Sequence, residues 1–387
     1  MDFYSSVAPG LVIVFALFIS LLCFRRIRSL SAKPYAKWRR ICEYIAFSAT
    51  IVVFLTAGAS TAFNALAIHH YRAMYPPQGR LYTVDGYKMH LYCTGEGSPT
   101  IVLDAGLGND SLIWADVQPT LSKTTRVCSY DRAGFGWSDL QPRPRDAHRI
   151  TDQLHTLLTE AGIKGPIVLM GHSIAGLYIR DYAARYPQNL SGVIFVDGST
   201  PLQEDRFPGR TKLVLLKAKL ELLQTKWLYV LGIPRITGDC NIGEGFEILA
   251  GKMLSEDQCR AALFTALERE DEDFRQSGKE TIHTGPFGDL PILIFSQDNH
   301  PSATEPRSKV DEIWDQMQEE LKSLSTRSRR IIAKGSGHYI QVDRPDLLNS
   351  RVADLIRQIR GEASPSNDYG TTKTEWSNSS VPVVTSR

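Results

Sequence analysis

The segment Gly171-His172-Ser173-Ile174-Ala175-Gly176 carries the residue types most able to do chemistry in this chain. A serine set between small side chains can occupy a sharp strand-to-helix turn, where the hydroxyl stands clear and helix and strand approach closely. The apolar run Ile167–Met170 before it and the helical stretch after it supply that setting. Gly171 and Ala175 take the small positions; a glycine is usual where Ala175 stands, and here Gly176 follows. The turn also places the backbone N–H of Ile174 at a helix N-terminus, where it can stabilise a developing oxyanion. The expected chemistry is nucleophilic attack by a serine. Because Gly-x-Ser-x-small arises readily by chance, the reading depends on the elements around it.

Those elements alternate. From Leu81 onward, apolar runs at Leu81–Val84, Lys88–Cys93, Thr100–Leu103, Arg126–Tyr130, Ile167–Met170, Val193–Val196, Ile292–Phe295 and Arg330–Ala333 read as strands. Asp85-Gly86 between the first two is a hairpin signal. Asp146–Ala161, Ala175–Tyr186, Asp311–Ser323 and Asp343–Arg360 read as helices. The alternation predicts an α/β fold, a mostly parallel eight-stranded sheet covered by helices. Ligands of such sheets bind beyond the carboxyl ends of the strands, where the Gly-rich and polar segments of this chain fall. Residues 201–285 break the rhythm and read as a helical cap, with helical sequence over Lys212–Leu231 and Glu247–Arg275. The core is then 80–200 with 286–362, and the Ser-, Thr- and Pro-containing tail 363–387 is expected to be disordered.

LDAGLGND, SYDRAGFGWSD, GHSIAG and GSGHYIQVDRP, in that order along the chain, resemble the motifs of the α/β-hydrolase superfamily. The likeness runs from about Leu81 to Arg360, and is strongest to membrane-attached or secreted members that share LYCTG-x-GSPT and CSYDRAG. It implies Ser173 as nucleophile, His338 as the base that takes its proton, and the backbone N–H of Leu107 as the partner of Ile174 in an oxyanion hole. Gly108 would allow close approach there, and Asn109 or Asp110 would cap the next helix. The acid has two candidates. Asp197 follows the strand at Val193–Val196 and is preferred; Asp298 follows Ile292–Phe295 but stands one residue before the usual position, which holds Asn299. Asp131 and Arg132 are expected to be structural. Asp343, five residues after His338, matches an acyltransferase spacing but is better explained as a helix N-cap. The strand order of the superfamily makes Cys93 and Cys128 neighbours able to form a disulfide, and Cys240 and Cys259 could pair in the cap.

Composition narrows the class. Hydrophobic residues make up 43% and charged residues 22%, with a formal net charge of +2. That balance excludes a basic nucleic-acid binder. The usual zinc spacings Cys-x-x-Cys and His-Glu-x-x-His do not occur, so no metal or organic cofactor is expected. Residues 7–24 and 45–68 are uncharged, and would reach about 27 and 36 Å as helices, against a hydrocarbon core of about 30 Å. Between them lie Arg25, Arg26, Arg28, Lys33, Lys37, Arg39 and Arg40, with Glu43 the single acid. Residues 1–72 therefore read as a membrane anchor of two transmembrane helices rather than a cleaved signal, since no basic n-region precedes the first and arginines follow it. The basic loop belongs in the cytosol, which places the large domain on the lumenal or extracellular side. The second segment is diluted by Thr, Ser, Gly and Asn64; if it does not span, the large domain is cytosolic instead. Sequons at Asn109, Asn189 and Asn378 are compatible with the lumenal or extracellular side.

The function expected is a membrane-anchored serine hydrolase that cleaves an ester, thioester or lipid acyl bond through an acyl-enzyme. Its partners would be a lipophilic acyl substrate and membrane lipid. The alternatives are a non-catalytic binding module on the same fold and an acyltransferase using the same residues. Dehalogenation and epoxide opening are disfavoured, because the nucleophile position holds Ser rather than Asp.

Overall fold

The computed structural model describes residues 4, 7–30, 36–208, 212–240, 253, 258–298 and 308–362. Eight strands, β1 (Arg80–Val84), β2 (Tyr87–Thr94), β3 (Thr100–Asp104), β4 (Val127–Tyr130), β5 (Ile167–His172), β6 (Leu190–Val196), β7 (Ile292–Gln297) and β8 (Ser328–Ala333), form one sheet in the order β1-β2-β4-β3-β5-β6-β7-β8. The β1–β2 and β2–β4 pairs are antiparallel and every other pair is parallel. Asp85 and Gly86 turn the first hairpin with φ of 54° and 83°, the left-handed pair that a two-residue type I′ turn requires.

The central strands are buried on both faces, which is why they appear in the sequence as unbroken apolar runs. Their side chains alternate between two cores. Leu169, Val193 and Phe195 join Leu154 and Tyr182 on one face; Val168, Met170, Ile194 and Val196 join Leu348 and Ile356 on the other. The helices that cover these faces are α3 (Ala147–Glu160) and α4 (Ala175–Arg185) on one side and α9 (Pro345–Ile359) on the other, named here in a chain order that also includes α1 (Ala8–Leu30), α2 (Lys37–Met74), α5 (Lys212–Val230), α6 (Ala261–Glu272), α7 (Phe274–Thr281) and α8 (Lys309–Glu320). Asp146 caps α3 by accepting from the Arg149 N–H at 3.0 Å, and Ser308 with Asp311 forms a capping box on α8.

Three expectations need correction. Within the described part of Glu247–Arg275 the helix is interrupted: α6 ends at Glu272, Asp273 breaks the run, and α7 begins at Phe274. Its beginning lies outside the described residues, as do Asn299, Asn378 and the tail 363–387. Asp343 does not cap α9. It closes a separate turn, Ile340–Asp343, and its carboxylate accepts from the Gly337 N–H at 2.8 Å. Asn109 is buried and donates to the Leu107 carbonyl, so this sequon has no room for a glycan.

The two N-terminal helices form an antiparallel hairpin. Phe15 meets Phe54, Ala16 faces Gly58, and Arg26 pairs with Glu43 at 3.3 Å toward the basic end. Both are long and apolar enough to cross a membrane. They outrun the uncharged segments, α1 continuing through Arg25, Arg26 and Arg28.

Cys93 and Cys128 stand directly opposite each other in the β2–β4 register and form a disulfide; Cys240 and Cys259 form a second in the cap. Replacing both Cys93 and Cys128 by serine should lower stability by about 2–4 kcal/mol, because the cross-link restricts the unfolded chain. Denaturant unfolding of the detergent-solubilised variant checks this. A midpoint equal to wild type under non-reducing conditions would mean that the bridge contributes nothing.

Candidate active site

Ser173 sits in the β5–α4 turn with φ of +55°, a conformation that costs energy for any residue with a Cβ and is held by its surroundings. The Ser173 N–H donates to the Val196 carbonyl at 3.1 Å, and its own carbonyl accepts from Ser199 N–H at 2.8 Å. The small residues are needed here. A Cβ at Gly171 would come within 3.0 Å of the Ala175 carbonyl, and one at Gly176 within 2.8 Å of the Ser199 carbonyl. Ile174 is the N-cap of α4, whose first N–H groups have no partner within the helix.

Of the two aspartates, Asp197 is the one bonded to His338. Its Oδ2 lies 2.6 Å from His338 Nδ1, and it is fully buried while His338 is about one-third exposed. Its Oδ1 accepts from Trp314 Nε1 at 2.9 Å and from the Gln297 N–H at 3.1 Å. Asp298 does other work: its Oδ2 accepts from Gly335 N–H at 3.0 Å, and its N–H donates to the Ser336 carbonyl. Asp298 and Asp343 therefore fix the loop that presents His338 from two sides. Trp314 has no local signal in the sequence, because it reaches Asp197 from α8.

His172 supports the same loop from the strand. Its Nε2 donates to the His338 carbonyl at 2.9 Å, and the two rings lie 4.6 Å apart. Burial, reinforced by the neighbouring His338, holds the His172 pKa well below the usual histidine value. His172 thus stays neutral and adds no charge that would oppose an imidazolium on His338. Gly106 closes on this ring: a Cβ there would be 2.6 Å from His172 Nδ1 and 3.3 Å from Ser173 Cβ. Leu107, the next residue, packs on the buried cluster that contains Ile174. Ser173, Ile174, Leu107, His338 and Asp197 are thus gathered at the carboxyl ends of β3, β5, β6 and β8. Such an arrangement suits transfer of a hydroxyl proton to a histidine held in one tautomer.

A family model described as the alpha/beta hydrolase fold matches residues 99–226. The chain has the α/β-hydrolase fold. Among solved structures, it is similar to a thermophilic esterase from Thermogutta terrifontis, with a TM-score of 0.53 and 19% identity over 73% of this chain and 99% of that one. That likeness shows the fold. It is 28% identical to a Hormonema carpetanum protein named as a probable transporter, over 74% of this chain, and 27% identical to an uncharacterised Schizosaccharomyces pombe protein, over 82% of this chain. The match spans only 42% and 63% of those relatives' own lengths.

Sequence reasoning left one part of the candidate site unseen. Arg132, expected only to be structural, reaches the loop that carries Leu107: its NH1 donates to the Ala105 carbonyl and its NH2 to the Gly106 carbonyl. The same guanidinium pairs with Asp104 at 2.7 Å and with Glu270 of α6 at 3.0 Å. Arg145 pairs with the other oxygen of Glu270 at 3.2 Å. All four side chains are almost wholly buried. Burial disfavours the charge on Arg132, but Glu270 and Asp104 outweigh it and raise its pKa well above the usual value. Burial raises the Asp104 pKa, against the opposing pull of Arg132.

Proposed function

We propose that this chain is a membrane-anchored serine hydrolase that cleaves the acyl bond of a lipophilic ester or thioester. The observation that carries the reading is the hydrogen bond between His338 and buried Asp197, set beside a serine on a strained elbow. Ser173 Oγ is the nucleophile, and His338 Nε2 takes its proton while Nδ1–H stays on Asp197. The backbone N–H groups of Ile174 and Leu107 receive the oxyanion. The acyl group rests on Ser173 until water, activated by the same histidine, releases it.

The anchor is the α1–α2 hairpin, with its basic loop in the cytosol. The cysteines support that orientation. The free pair, Cys23 and Cys42, lies toward the basic end of the hairpin, whereas both disulfides lie in the large domain. Disulfides persist on the oxidising side of a membrane.

Reaction of the full-length protein in detergent with a fluorophosphonate probe, followed by peptide mapping, tests the reaction class. A single adduct on Ser173 is expected. Folded protein that takes up no probe, or takes it up elsewhere, would leave the serine-hydrolase reading without its nucleophile.

A further inference from the structure

Two of the polar residues that dilute the second apolar segment, Ser60 and Asn64, have partners in the cap. Ser60 donates to the Leu231 carbonyl, Asn64 Nδ2 donates to the Tyr229 carbonyl at 2.8 Å, and Asn64 Oδ1 accepts from Arg235 Nε at 2.9 Å. Gly232, at φ +72°, lies so close that a Cβ there would be 2.8 Å from Asn64 Cβ. From the other helix, Ala8 shares a buried cluster with Val230 and Ala261, and Tyr4 meets Trp227 edge-on at 5.6 Å. The cap is therefore fastened to the hairpin itself.

The depth of that contact follows from helix geometry. A hydrocarbon core of about 30 Å takes about 20 helical residues. If α2 enters the core at Ile45, it leaves near residue 65. Ser60 then lies about 7–8 Å inside the boundary, and Asn64 lies close to it. The cap turn bonded to both must share that level. Aromatic and basic residues gather there, with Trp227, Tyr229, Lys226 and Arg235 on the cap side, as they do where proteins meet the headgroup boundary.

The cap surface that continues from this seam is apolar and uncovered. Leu213, Leu216, Leu220, Leu223 and Trp227 recur on one face of α5 and are all exposed, Leu220 by 58%; Ile236 beyond the turn is 62% exposed. Two of the α5 lysines are drawn toward α6, Lys219 pairing with Glu272 at 2.8 Å and Lys226 with Glu268, while Lys217 pairs with Glu221 on α5 itself.

We propose that the cap rests in the lipid leaflet that receives the outer ends of α1 and α2, with the α5 stripe and Ile236 in contact with acyl chains. The proposal rests on the membrane-anchored reading given above, and it identifies the bilayer as the source of substrate. Helix α6, on which α5 packs, also covers the loop beside Ser173, because Leu267 lies against Gly108, while Gln258 just before it donates to the Gly108 carbonyl.

The test uses full-length protein in phosphatidylcholine nanodiscs, with Cys23 and Cys42 replaced by alanine. Single environment-sensitive labels are placed at Leu220→Cys, Ile236→Cys, Leu66→Cys on α2, and Lys164→Cys at the far end of β5. Quenching by lipids spin-labelled near the headgroup should be several-fold stronger at Leu220 and Ile236 than at Lys164, and Leu66 should be quenched as well. Quenching at Leu66 with Leu220 and Ile236 no different from Lys164 overturns the cap inference and leaves the anchor intact. Loss of quenching at Leu66 too would mean that the hairpin does not span, and both readings fall. Retained labelling of Ser173 by the fluorophosphonate certifies that each variant is folded.

Discussion

Substituting Asp197→Asn should lower the rate of acyl-enzyme formation by about 10⁴-fold, close to the effect of losing the acid in other serine triads. The structure explains why a nearly isosteric change should be so damaging. Oδ1 of Asp197 faces two donors, Trp314 Nε1 and the Gln297 N–H. The carboxamide of an asparagine would turn its oxygen to them and its NH₂ to His338. His338 Nδ1 would then have to accept, the ring proton would move to Nε2, and no lone pair would remain for the Ser173 hydroxyl. Asp298→Asn should change the rate by less than about tenfold, because an amide oxygen can still accept from Gly335. Ser173→Ala should abolish the reaction, a loss on the order of 10⁶-fold. Second-order rates of fluorophosphonate labelling, followed by ester turnover, measure the series. Equal losses in the two aspartate variants would refute the assignment of Asp197.

Removing the Glu270 carboxylate should cost about 3–5 kcal/mol of stability, the penalty for stranding a buried charge. Glu270→Ala leaves Arg132 and Arg145 both inside the protein with one carboxylate, Asp104, between them. The loop at Ala105 and Gly106 hangs on the same guanidinium. Labelling at Ser173 should therefore fall in the fraction that still folds. Glu320→Ala is the matched control. Its partner Arg206 is 2.6 Å away, but the glutamate is 60% exposed, so the change should cost no more than about 1 kcal/mol. Denaturant unfolding of both variants decides the matter. If Glu270→Ala were as mild as the control, the buried cluster would not be stabilised in the way its geometry indicates.

What could be read from the sequence was what local chemistry fixes. The central strands were legible because burial on two faces leaves their middles apolar, and the elbow because its small residues lie within a few positions of Ser173. The choice between Asp197 and Asp298 was harder. Both end parallel strands, and the spacing differs by one residue. What separates them is the geometry of the His338 loop and a tryptophan from a helix 117 residues away. Glu270 was invisible for the same reason, since its arginine partner is 138 residues distant. Asn64 and Ser60 looked like weaknesses in a membrane span, because a hydrogen bond to another part of the chain leaves no trace in hydropathy.

The order of the sheet bears on how the protein is made. Apart from the exchange of β3 and β4, strands lie side by side in the order in which they leave the ribosome. The α1–α2 hairpin precedes the sheet, which can then be extended from one edge to the other as synthesis proceeds. The elbow serine is translated near the middle of the chain, whereas His338 follows the last strand. Until that strand has joined the edge, the chain would hold Ser173 without the histidine proposed as its base, and the proposed chemistry could not begin.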